Sequence, residues 1–132
     1  MKKLLMIAAV CVSALMANAG VANNEVLSNF VKQTQDEIVQ EGGQDAAAMT
    51  VEESPFGDLM VMTINVPASG DQLKQIPVDM VKPEIVKEMK AEKTFPDEVV
   101  EAMTKERVNF IYRMKGTDGN SLDIFITPAD LK

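Results

Sequence analysis

Met60 and Met62 stand two residues apart, which puts both thioethers on one side of an extended strand. Thioether sulfur is a soft ligand suited to Cu(I), and it is equally a flexible filler of apolar cores. The same side continues through Ile64 and Val66, the pattern of a buried face, so these methionines are assigned to the core. Asp118-Gly-Asn120, with Asp123 close behind, gathers oxygen ligands. A calcium loop needs carboxylates at alternate positions, a glycine at the sixth and a glutamate at the twelfth, and this spacing is not met. Asp-Gly and Gly-Asn form turns readily, and a turn is expected here. No cofactor and no metal is assigned.

Histidine is absent and Cys11 is the single cysteine, so no Cys/His zinc site, no intrachain disulfide and no histidine-based triad can be built. Two catalytic routes remain, a Ser/Lys pair or paired carboxylates. None of Ser28, Ser54, Ser69 and Ser121 begins a Ser-x-x-Lys spacing, and no glycine-rich phosphate loop occurs. No catalytic residue is nominated. The expectation is a non-enzyme, with a small carboxylate-dependent hydrolase as the enzymatic alternative.

The 132 residues suit one domain, and their 20 acidic against 13 basic side chains disfavour nucleic acid, whose binding rests on Lys/Arg neutralising phosphates. Lys2 and Lys3 precede an apolar run from Leu4 to Ala17, and Ala17-Asn18-Ala19 supplies the small residues that signal peptidase requires. Residues 1–19 are therefore expected to be a signal peptide cut between Ala19 and Gly20. The run is too short to span a bilayer, and bulky Val10 before Cys11 argues against a lipoprotein. The pattern is that of a bacterial protein exported to the periplasm or beyond, with no transmembrane segment after cleavage. Removal of the leader takes the formal charge from −7 to −9, and the acidic excess lies before Ala68. Electrostatic steering on that half would favour a cationic partner.

Residues 20–132 are expected to form a single small α+β domain. Asn23 or Asn24 can cap a helix whose apolar face is Val26, Leu27, Phe30, Val31 and Ile38, ended by Gly42-Gly43. Alternation predicts a hairpin from Ala47 to Val66, with Phe56 at its tip as a minor candidate contact. Ser69 and Gln72 have capping-box spacing. Pro83 and Pro96 suit the first turns of two further helices, and a second hairpin runs from Val108 to Thr127. The expected architecture is two layers: a four-stranded antiparallel sheet of two hairpins, helices on one face, and a helix–hairpin topology repeated twice. In outline it resembles the small exported helix-plus-hairpin folds of bacterial inhibitor proteins and cystatin-like domains. That resemblance is topological and implies no site.

If helices cover one sheet face, the other still carries Leu59, Val61, Ile111 and Phe125, rimmed by polar groups including Arg113. An apolar patch with a polar rim is what an interaction surface looks like. The reading is a protein-binding module that takes another envelope or extracellular protein on the open face formed by Leu59, Val61, Ile111, Arg113 and Phe125. The alternative on the same face is a structural homodimer.

Overall fold

The computed structural model describes residues 20–132 apart from positions 44 and 56. The expected signal peptide, residues 1–19 with Cys11, and Phe56, expected at the hairpin tip, lie outside the described residues. Helix α1 (Glu25–Gln40) begins where the Asn24 side-chain oxygen accepts from the Leu27 amide at 3.1 Å. It ends as Gly42 takes φ +73° and the Gly43 amide donates to the Ile38 carbonyl at 2.8 Å. Strands β1 (Ala47–Glu52) and β2 (Leu59–Asn65) form the first hairpin, with Met49 opposite Met62.

Three helices follow: α2 (Gly70–Lys74), α3 (Val78–Glu92) and α4 (Asp97–Glu106). Ser69 closes the capping box on α2, accepting from the Gln72 amide at 3.3 Å while Gln72 Oε1 accepts from the Ser69 amide at 2.8 Å. Ser69→Ala should cost about 1 kcal/mol, measured by urea unfolding. The helix expected to start at Pro83 begins at Val78 instead, and Pro83 lies inside it. An internal proline breaks one helical hydrogen bond, but Pro83 and Asp79 are both exposed, so water can satisfy the orphaned Asp79 carbonyl.

Strands β3 (Asn109–Lys115) and β4 (Ser121–Ile126) form the second hairpin. The sheet order is β1-β2-β3-β4, and here the expectation of a purely antiparallel sheet fails: β2 and β3 pair in parallel, with Val61 beside Ile111 and Met62 beside Tyr112. The reason is the connection. Residues 66–108 cross over through three helices, which is the kind of link parallel strands require. Hairpin turns dictate pairing within each hairpin and say nothing about pairing between them. Two tandem copies laid side by side would set β3 antiparallel to β2, so the twofold helix–hairpin repeat is not supported either. The fold is α+β, with a four-stranded mixed sheet and helices.

Between the sheet and the helices lie Leu27 of α1, Val99, Val100 and Met103 of α4, and the strand residues Met49, Met60, Phe110, Ile124 and Ile126, all buried in one cluster. Met60 is fully buried and Met62 partly so, as the core assignment expected. The β3–β4 turn is tied to α2. The Asp118 carboxylate accepts from the Gly70 amide at 2.9 and 3.0 Å, and the Thr117 amide donates to the Ala68 carbonyl at 2.8 Å.

The hydrogen bond from Gly70 first, then that from Asn120, holds the Asp118 carboxyl below its ordinary pKa. The Thr127 amide and then Lys82 do the same for Asp130. Both acids therefore contribute stability that is present above the unfolded Asp value of about 3.9 and is lost as pH falls through the depressed folded values. Asp118→Asn/Asp130→Asn should flatten the loss of stability on acidification below about pH 4, as followed by thermal melts across pH.

Candidate functional site

The helix layer leaves part of the sheet uncovered. The apolar stripe of α1 is interrupted after Val31: Thr34 and Gln35 occupy the positions one turn on, and it resumes only at Ile38. Gln35 instead accepts from the Met49 amide at 2.8 Å, so this half of α1 is pinned beside β1 by a polar contact. Across from it, α3 buries no residue fully. Val78, Val81, Ile85, Val86 and Met89 all touch the core cluster from partly exposed positions.

The result is a groove of about 400 Å³ with Ile38 on one wall and Ile85 and Met89 on the other. Ala47, Met62, Ile64, Phe110 and Tyr112 form its floor, and Glu88 and Glu92 stand at its rim. Burial, and then the Glu88 charge, push the Tyr112 phenol above its ordinary pKa. A second depression shares Met62, Thr94 and Phe110 with the groove and extends it toward Phe30, with Glu37 and Lys93 at its edges. The signal missed in the sequence was the polar interruption at Thr34-Gln35, which marks where α1 stops sealing the sheet.

The register puts the five residues singled out from the sequence on the opposite side of the sheet, but two of them, Val61 and Ile111, are buried there rather than open. Leu59 is partly buried, Val61 and Ile111 are 0% and 2% exposed, and Phe125 on edge strand β4 is 54% exposed. Arg113 grips two carboxylates at once. Its Nε and Nη2 donate to Asp123 at 2.7 and 3.0 Å, and its Nη1 and Nη2 donate to Glu52 at 2.6 and 3.2 Å. These bonds, to Asp123 first, hold the guanidinium pKa above its ordinary value.

Glu52 pairs with Leu59 and Thr63 pairs with Arg113, so the Glu52–Arg113 link runs diagonally above Val61. The arginine stem and its ion pairs thus roof apolar side chains. Arg113→Ala should cost about 1–2 kcal/mol by urea unfolding, less at high salt, with coupling to Glu52 in a double-mutant cycle.

The two carboxylates that converge on Arg113 each accept two of its hydrogen bonds, so this acidic pair serves as an ion-pair network. Among the described residues no group of three or more Cys, Asp or Glu side chains is arranged to hold a metal, and no helix is long and apolar enough to cross a membrane. The Asp118-Gly-Asn120 segment forms the turn expected of it, with Gly119 at φ +82°.

No protein-family model matches the chain, and no curated protein matches it. Among solved structures, the pilotin EpsS of the Vibrio vulnificus type 2 secretion system is similar at 12% identity and a TM-score of 0.38, covering 80% of this chain and 94% of that one. A likeness of this size assigns neither family nor function.

Proposed function

We propose that the protein is an exported, non-enzymatic module of the cell envelope or its surroundings that binds another protein, and that the partner seats in the groove between α1 and α3. One observation carries this reading: a fifteen-residue helix, α3, none of whose side chains is fully buried, walls an apolar floor that α1 leaves open. Apolar surface left open in this way is stabilised by a partner. Met89→Asp places a charge on the groove wall at a partly exposed site. It should abolish capture of the partner in a crosslinking pull-down from the cell envelope while circular dichroism stays unchanged. Capture that survives Met89→Asp in the folded variant rejects the groove.

The second reading keeps the sheet face of Leu59, Val61, Ile111, Arg113 and Phe125 as the interface, for another protein or for a second copy. The exposure of Phe125 favours it. Phe125→Asp tests this face in the same pull-down. A homodimer through it would show a molecular mass that falls on dilution and on Phe125→Asp.

A further inference from the structure

We infer that the occupant of the α1–α3 groove is an amphipathic helix of the partner that carries lysine or arginine beside its apolar stripe; this rests on the groove reading above. Three observations converge. First, addition of an extended strand at the neighbouring sheet edge is obstructed. The Met49 amide, which points away from β2, is taken by Gln35 Oε1 at 2.8 Å, and the Ala47 amide on the same edge is taken by the Gly43 carbonyl at 2.9 Å. A partner strand needs those donors.

Second, the groove is walled by helices and floored by sheet, and α3 presents two parallel stripes to it. Ile85 and Met89 lie one turn apart, and Glu88 and Glu92 lie one turn apart beside them. The spacing of about 6 Å along each stripe matches that of another helix, whose apolar residues would meet the first stripe and whose flanking residues would meet the second. Third, the charge is one-sided. Both charged groups at the groove are acidic, and the exposed acids Asp36, Glu37 and Glu41 line the end of α1. The cations nearest the groove, Lys90 and Lys93, lie outside its lining, in a depression on the other side of Met89, and Lys93 also edges the adjoining depression. An acidic rim steers and selects a basic flank.

The test uses the purified protein with 13C-labelled methionine methyls, because Met62 and Met89 sit on floor and wall. The probes are two capped helical peptides of about 18 residues with the same leucine stripe, one flanked by lysine and one by glutamate. The lysine peptide should shift both methyls and bind about ten-fold more tightly than its glutamate isomer. Glu88→Lys/Glu92→Lys should reverse that preference. Equal affinity for the two peptides, or a preference the charge swap leaves unchanged, overturns the inference, as do shifts confined to methyls outside the groove. Concentration-dependent shifts of Met62 and Met89 without peptide would make a second copy the occupant and overturn it too. If neither peptide moves these methyls while Met89→Asp still abolishes capture, the helix is wrong and the groove reading stands. If Met89→Asp also leaves capture intact, both fail.

Discussion

Phe110→Ala is expected to lower the unfolding free energy by about 3–5 kcal/mol, the range for truncating a buried phenylalanine. Phe110 is 2% exposed and stands at the middle of the core. Its ring meets Phe95 edge-on, with centroids 4.9 Å apart and planes at 72°, and Phe95 in turn tilts against Phe30 at 5.2 Å. This series joins β3 to the segment entering α4 and on to α1, so the truncation loosens three elements at once. The aromatic contacts contribute about 0.5–1.5 kcal/mol each beyond area burial, and the remainder is lost transfer free energy plus the cavity. Urea unfolding should show the midpoint fall with little change in slope. Phe110→Leu keeps most of the volume and should cost less than half as much. A loss below about 1.5 kcal/mol for Phe110→Ala would mean that the site collapses around the gap, and that the groove above it is softer than its floor residues imply.

Gly116→Ala should cost about 3 kcal/mol although it adds one methyl group at a hairpin turn. A Cβ on Gly116 would stand 2.5 Å from the Ala68 carbonyl oxygen and 3.2 Å from both the Leu73 Cδ1 and Asp118 Oδ1 atoms. The Ala68 oxygen is backbone and already accepts from the Thr117 amide at 2.8 Å, so it cannot swing aside as a side-chain end could. Relief must come from moving residues 66–69 or the turn. Either movement pulls Asp118 off the Gly70 amide and lifts Leu73, which is 2% exposed. The measurement is again urea unfolding, with amide exchange at Thr117 and Gly70 as the local readout. Exchange that speeds up only there would place the damage at this junction. A Gly116→Ala variant as stable as the parent would show that the approach of the two segments is not required.

Local chemistry was legible in the sequence wherever one short stretch holds both partners. Asn24 and the Ser69/Gln72 box cap the helices they were expected to cap, and strict alternation places Met60 and Phe110 on the covered face. Legibility stops where the partner is remote. Nothing in the turn residues of either hairpin specifies that β2 lies beside β3 or that the pair is parallel. The Arg113 link to Glu52 is invisible for the same reason, since it exists only once β1 and β3 flank β2. Pro83 misled about the start of α3 because proline's preference for a first helical turn is strong locally, whereas the half-buried apolar residues from Val78 onward override it. The groove is legible only in part. The polar Thr34-Gln35 step is in the sequence, but the distance between α1 and α3 is a property of packing.

The parallel β2–β3 pairing also constrains the order in which the chain can fold. These two strands form the centre of the sheet, yet they are separated by residues 66–108, so their pairing closes a long loop before it returns any burial. A chain emerging from its N-terminus can form α1 and the first hairpin early, but the cluster around Met60 and Met49 is complete only once β3, β4 and α4 have all arrived. The core cluster draws residues from both halves, so the first half cannot complete it alone. For an exported polypeptide, as proposed above, the consequence is that the leading segment cannot complete its core until the tail has followed.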